Sequence, residues 1–203
     1  MRVSMLSLAA FILVTGTPGA EAQTVSPDPA AVEPGTYKVE PAHTQIGFSI
    51  SHLGFTNFAG SFAGASGTLQ LDPAAPQRSH LAVVVTVGSI TTTVPELSER
   101  LKGDQWFDTA HYPEASFTST KIVRTGPRTA VIDGALILHG VSKPITLEAQ
   151  LLGSGVNPLD KAFTAGFEAT GTIKRSEFGM TTYLPLLGDE VRLTIAGAFE
   201  RQP

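Results

Sequence analysis

Histidine is the residue in this chain with the widest choice of chemistry, because a neutral imidazole can bind a metal or move a proton. No two of the histidines are two residues apart, which would place them on one face of a strand, or three or four apart, which would place them on one face of a helix. A metal site would need histidines gathered from distant strands, with carboxylate help. That alternative stays open, although the spacing itself predicts no metal site. The five are His43, His52, His80, His111 and His139.

The sequence contains none of the common catalytic or nucleotide-binding signatures. There is no G-x-S-x-G, H-E-x-x-H, P-loop or G-x-G-x-x-G pattern. The chain has no cysteine, which excludes disulfides, thiol nucleophiles and thiolate metal sites. The acidic pair Asp189 and Glu190 follows Gly188 and is typical of a solvated turn before a strand. We therefore predict no catalytic residues and no cofactor, and we do not expect an enzyme.

His139 lies between two apolar runs in the stretch ALILHGVSKPITLEAQLLG, residues 135–153. Gly140 can adopt a turn conformation that a side chain would resist. Pro144 suits the start of the next strand, where its missing N–H does least harm. We interpret His139 as a turn residue that hydrogen-bonds neighbouring backbone. Contact with the polar head of a ligand is the alternative.

Period-two alternation of apolar and polar residues is the dominant pattern, interrupted at short intervals by Gly, Pro and Asp. It predicts eight or more strands, most with one polar face, which favours antiparallel pairing. Such strands form a sandwich or close into a barrel, and an eight-stranded barrel is about wide enough to hold one ligand. The best helical pattern, Val94 to Asp108, predicts a short surface helix with Pro95 in its first turn and a stop at Gly103.

The apolar faces of these strands are the candidate ligand site. If they surround a space too large for them to fill, that space is an apolar pocket. Aromatic residues around the first hairpin and the predicted helix would either plug the core or form a mouth. The predicted wall residues are Ile46, Phe48, Ile50, Leu69, Leu71, Val83, Val85, Phe117, Leu136, Leu147, Phe167, Leu193 and Ile195.

The N-terminal residues predict export of the chain. Arg2 precedes an apolar run of about 12 residues, shorter than the roughly 20 that span a membrane, and Ala20-Glu21-Ala22 fits a cleavage site. We expect a signal peptide over 1–22, an irregular leader without a core role over 23–35, and one folded domain over 36–201. The net charge of −4, with no basic patch, argues against nucleic acid. With only 3 Tyr and 1 Trp, the aromatic girdles of an outer-membrane barrel are not expected.

Six stretches of the chain form a recognisable set of motifs: YKVEPAHTQIGFSISHLGFTNFAGSF (37–62), GSITT (88–92), LKGDQWFDTAHYPEASFTST (101–120), LILHGVSKPITL (136–147), IKRSEFGM (173–180) and GDEVRLTI (188–195). Together these motifs resemble the YceI-like family of secreted bacterial proteins, often described as polyisoprenoid-binding. Thr91 and Arg100 depart from the family pattern, which has Asp and His at these places.

The resemblance implies an extended lipocalin-like barrel with an apolar channel and a periplasmic location. It implies a ligand such as a polyprenyl phosphate, a quinone or another amphiphilic lipid, and no established catalytic residues. Arg100, Lys102, Lys143 and Arg175 are candidates to meet the ligand head. Two other functions stay open: an adaptor that presents an isoprenoid or quinone to a membrane redox partner, and a metal-assisted enzyme built on the barrel. A homodimer also stays open.

Overall fold

Eleven β-strands and one α-helix make up most of residues 25–203, which are the residues that the computed structural model describes. Every strand pair is antiparallel. The predicted signal peptide, residues 1–22, lies outside the described residues. The elements are β1 (Gly35–Val39), β2 (Gln45–His52), β3 (Thr56–Phe62), β4 (Ala65–Leu71), β5 (His80–Thr86), β6 (Thr91–Thr92), α1 (Pro95–Leu101), β7 (Glu114–Arg124), β8 (Thr129–Leu138), β9 (Val141–Val156), β10 (Phe163–Lys174) and β11 (Leu187–Arg201).

The eleven strands fill eight positions of a closed barrel, because three positions are each interrupted once. β1 and β2 lie end to end along β11, with Val39 opposite Phe199 and Gln45 opposite Ala196. β3 and β4 share the next position, and β5 and β6 the one after. Pairing of β1 with both β4 and β11 closes the ring. The predicted all-β, eight-stranded antiparallel barrel with one short helix is therefore confirmed.

The β8–β9 turn consists of His139 and Gly140, both with positive φ, of 51° and 72°. Two such residues form the tight hairpin turn whose twist matches that of the flanking strands. β9 begins at Val141, so the expectation that Pro144 opens the strand is wrong. Pro144 pairs with Ala135 inside the ladder, and β10 reaches only as far as Glu148. A missing N–H is tolerated there because no strand pairs on that side.

The helix α1 is shorter than its sequence pattern predicts. Pro95 occupies the first turn, and the helix ends at Leu101, just before Gly103. Residues 102–112 continue as turns and lead into β7. α1 and the β8–β9 turn define what we call the upper end of the barrel; the β4–β5 and β7–β8 loops define its lower end. Among residues 25–203, no helix has the length and apolar character needed to cross a membrane.

Two separate clusters of buried residues lie in the barrel, one towards its lower end and one towards its upper end. Tyr37, Ala165 and Phe199 belong to the lower cluster, and Phe178 and Met180 to the upper one. Between these clusters, most inward-facing side chains are only half buried. The core is therefore divided, and the middle of the barrel is lined rather than filled.

Candidate functional site

Two apolar cavities adjoin inside the barrel, and together we call them the channel. The lower cavity has a volume of about 270 Å³ and the upper cavity about 600 Å³. Five residues line both of them: Ile46, Val85, Ala115, Leu136 and Leu193. The upper cavity alone falls within the range of roughly 300–1,000 Å³ that is usual for ligand pockets. The interior thus offers a long space with almost wholly apolar walls.

All thirteen predicted wall residues line this channel. Phe48 and Ile50 line only the upper cavity, and the others line the lower cavity or both. Only Leu69, Phe117 and Leu147 are buried; the rest are half buried, because they border open space instead of one another. The alternation of the strands placed these residues correctly, whereas ligand binding by them stays a prediction.

Two glycines shape the channel wall by letting aromatic rings lie against the neighbouring strand. A Cβ on Gly60 would lie 2.5 Å from the Phe48 ring, and one on Gly134 would lie 2.4 Å from the Phe117 ring. Real Cβ atoms do not come so close, so glycine is required where these rings cross. β2 and β3 pair through Gly60 without a register shift, so this glycine lies in regular strand.

The leader closes part of the lower opening. Pro29 and Val32 line the lower cavity, and Val32 is only 7% exposed. Ser26 and Ser154 exchange two backbone hydrogen bonds of 2.9 Å, and the Tyr37 hydroxyl donates to the Glu33 carbonyl at 2.6 Å. The expectation that the leader has no core role is therefore wrong. No sequence pattern indicates this role, because a single Val between prolines carries no periodicity.

The lower opening also contains two arginines that sequence reasoning did not single out, Arg124 and Arg128. Arg124 donates to the Pro73 carbonyl at 2.9 Å, which ties the β7–β8 and β4–β5 loops together. The remaining lining of the lower cavity is almost wholly apolar.

The upper opening combines apolar and ionisable side chains. Leu97 and Leu101 of α1 face the channel, four residues apart and hence on one face of the helix. The same opening is bordered by His52, Glu96, Arg100, Trp106 and Tyr183. The Leu97–Leu101 spacing was the signal in the sequence that α1 is more than a surface helix.

Of the four basic residues that are candidates to contact the ligand head, Arg100 has the most suitable position. It lines the upper cavity, and within residues 25–203 it forms no ion pair. Lys102 is paired with Glu99 at 2.6 Å, and Lys143 lines neither cavity.

Arg175 is a structural residue, although it borders the upper cavity. It is 4% exposed and donates hydrogen bonds of 2.8–3.2 Å to four backbone carbonyls, those of Met180, Thr182, Leu187 and Gly188. Its role as a head-group contact is therefore wrong: four of its five N–H donors hold the loop before β11 in place.

Asp189 supports the same loop. Burial alone would raise the pKa of its carboxyl, but hydrogen bonds from the backbone N–H and hydroxyl of Ser176, with Arg175 and Lys174 nearby, lower that pKa overall. Asp189 therefore stays ionised and fastened to the turn after β10, as a structural residue.

The histidines remain apart in space. His43 contacts Glu40 at 2.6 Å, His111 contacts Asp108 at 2.9 Å, and His80 lies 3.4 Å from the Ser119 hydroxyl. His52 borders the upper cavity, and His139 binds backbone. Within residues 25–203, no three His, Cys, Asp or Glu side chains are grouped closely enough to hold a metal ion. The convergence that a metal-assisted enzyme requires is not found there.

A family model described as the YceI-like domain matches residues 37–199, which is nearly the whole barrel. The chain belongs to the YceI-like family. A UPF0312 protein of Yersinia pestis (strain Pestoides F) is 38% identical to it over 162 residues, covering 79% of this chain and 83% of that protein. The sequence resemblance is thereby confirmed.

Solved structures show the same YceI-like barrel. The Campylobacter jejuni YceI protein superposes with a TM-score of 0.65 and 29% identity, covering 76% of this chain and 91% of that one. A polyisoprenoid binding domain from Saccharophagus degradans superposes with a TM-score of 0.60 and 16% identity, covering 84% of this chain and 100% of that one. At this low identity, the second likeness concerns the fold.

Proposed function

We propose that this YceI-like protein binds one long isoprenoid or related amphiphilic lipid in the barrel channel and carries it through the periplasm. The observation that carries the proposal is the meeting of two apolar cavities at five shared residues. The name of the Saccharophagus degradans neighbour supports the ligand class. Family and neighbours together favour a binding protein over an enzyme.

The hydrophobic effect supplies the driving force for this binding. Each buried CH₂-sized group contributes about 0.8 kcal/mol, so several isoprene units provide ample gross affinity. Ordering a flexible chain costs entropy, and net affinity is accordingly much smaller. Because the channel wall offers little hydrogen bonding, channel length is expected to select the length of the ligand.

The upper opening is the proposed position of the ligand head. Arg100 and His52 border it, and the Tyr183 hydroxyl belongs to the same rim. An arginine there favours an anionic head such as a phosphate. The smaller lower cavity would take the end of the tail. The membrane redox partner of the adaptor alternative and the homodimer stay predictions.

Periplasmic location rests on the signal-peptide pattern of residues 1–22 and on family resemblance. We propose that the exported, processed chain acquires its lipid after translocation. Cell fractionation of the native host tests this point, since protein retained in the cytoplasm would contradict it.

Native mass spectrometry, followed by organic extraction, tests the binding function on processed protein purified from a periplasm without detergent. One polyprenyl or quinone molecule per chain is the expected result. The proposal would be overturned if the purified protein carries no lipid and also does not bind added polyprenol or polyprenyl phosphate. A Leu152→Asp variant is the control, because Leu152 lies on β9 but lines neither cavity.

A further inference from the structure

Exposed apolar side chains are concentrated at the upper opening of the channel. Phe55 is 86% exposed, Leu186 61%, Tyr183 60%, Leu53 46% and Val94 43%. All but Phe55 also line the upper cavity, and Phe55 lies in the β2–β3 turn beside them. Exposed apolar residues elsewhere in residues 25–203 are spread along the barrel wall and the lower loops. We call these five residues the crest.

Four of the five crest residues lie on two loops that are joined to each other, and Val94 lies just before α1 at the same opening. The backbone N–H of Leu53 donates to the Leu186 carbonyl at 3.1 Å, which joins the β2–β3 turn to the loop before β11. Tyr183 packs against Trp106, with ring centroids 6.0 Å apart. Two separate loops thus present a single apolar surface around the opening.

The backbone of the crest is unfavourable for the residues that it carries. Leu53 and Tyr183 have φ values of 56° and 60°, in the left-handed region where bulky side chains are strained. Asn or Gly would suit these positions better. Strained residues of this kind persist where the surrounding structure holds them, and they cluster at functional sites. Here it holds large apolar side chains in water at the channel opening.

We propose that the crest docks the protein on a phospholipid bilayer. The two loops, 53–55 and 183–186, contain no Asp, Glu, Lys or Arg, so the loops themselves bring no charge into a lipid surface. Glu96 and Arg100 border the opening from α1, outside these loops. Trp and Tyr beside aliphatic side chains are the residues that prefer the membrane interface. This docking rests on the proposed function: a protein that carries a membrane lipid must contact the membrane in which that lipid resides.

A lipid surface fits the crest better than a second protein does. A specific protein interface takes roughly 20–30 residues from each partner. The crest offers five exposed side chains. Insertion of a few apolar side chains into a bilayer needs no matching surface, and the apolar channel would then open directly onto the lipid.

Flotation with phosphatidylcholine vesicles tests the docking of the processed protein. Wild-type protein is expected to float with the vesicles, and Phe55→Ser to lower its partition about tenfold. Phe55→Trp should retain binding. Leu159→Ser is the matched control, because Leu159 is 90% exposed in the β9–β10 loop at the lower end. Because all variants have the same N-terminal residues, a difference in vesicle binding between them comes from the substituted side chain.

Trp106 provides a second readout because it is the only tryptophan of the chain. Brominated phosphatidylcholine should quench its fluorescence in wild-type protein and in Leu159→Ser, but much less in Phe55→Ser. Raising NaCl should leave binding nearly unchanged, since no charges carry it. Wild-type protein that stays with the buffer, or equal binding by Phe55→Ser and Leu159→Ser, would overturn the inference.

Two further measurements separate the remaining outcomes. Phe55→Ser should take up polyprenol added from ethanol as well as the wild type does, because Phe55 lines neither cavity. If the wild type docks but never holds polyprenol, the proposed function fails and the docking stands. If sedimentation shows a dimer that Phe55→Ser dissociates, the crest is a protein interface and the inference is wrong.

Discussion

Nδ1 of His139 lies 3.0 Å from the carbonyl oxygen of Phe178, to which it donates a hydrogen bond. The two residues are 39 positions apart, so the bond ties the β8–β9 turn to the turn after β10. The His139 ring also packs on Tyr112, at 4.7 Å between ring centroids. His139 is the turn residue that the sequence indicates, but its partner is distant in the chain.

Replacing His139 should weaken the fold and leave lipid binding intact. His139→Ala removes the bond to Phe178 and leaves alanine at φ 51°, a conformation that alanine tolerates less well than histidine, which should cost about 1–3 kcal/mol in the free energy of unfolding. Urea denaturation measures the loss. His139→Asn, which tolerates this φ better, should cost less. A folded His139→Ala that no longer takes up polyprenol would instead place His139 at the ligand.

A charge on the channel wall should abolish lipid uptake. Leu147 is 5% exposed and lines the lower cavity, so an aspartate there would need water in an apolar channel. Leu147→Asp should take up no measurable polyprenol, and Phe48→Asp should behave alike. Leu152→Asp, on the outer face of the same strand, should bind as the wild type does. Normal uptake by a folded Leu147→Asp would contradict the channel assignment.

Filling the junction of the two cavities should shorten the accepted ligand. Ala115 is the smallest of the five residues that line both cavities. Ala115→Trp places an indole between them, while Ala115→Ser serves as the control of similar size. Binding of long polyprenols should be lost, whereas chains short enough for the upper cavity should still bind. Competition assays across a series of chain lengths measure this, and an unchanged length profile would show that ligands do not cross the junction.

The stability of the barrel should fall at alkaline pH through Tyr37. Burial raises the pKa of this phenol to about 12, opposed by Arg201 and supported by Glu33. Its unfolded value is about 10. Because the folded pKa is the higher one, the stabilisation is complete below pH 10 and is lost as the pH rises towards 12.

Tyr37→Phe should separate the contribution of the Tyr37 hydrogen bond to stability from that of the ionisation of its phenol. It removes the hydrogen bond to the Glu33 carbonyl and should cost about 1 kcal/mol at pH 7. The variant should also lose less stability than the wild type between pH 9 and pH 12, as denaturant titrations at each pH would show. An identical alkaline decline in both proteins would mean that another group titrates there.

Much of the barrel follows from the sequence because its signals are local. Alternation with period two places Phe48, Leu147 and Leu193 on the inner face whatever the strand partners are. Gly140 predicts a turn, and Pro95 with Gly103 brackets a helix. The family motifs add the closed topology, which alternation alone does not separate from a sandwich.

The rest depends on contacts between distant segments, and only the tertiary structure decides it. Val32 is a core residue because the leader pairs with Ser154, more than a hundred residues away. Arg175 is a structural residue because the loop before β11 brings four carbonyls to its guanidinium. An eight-stranded barrel can be filled by its side chains or can hold one ligand, and here the inward side chains leave cavities of about 270 and 600 Å³. The sequence by itself determined which side chains face the interior. Only the closed barrel decided that these side chains line a cavity and do not pack into a solid core.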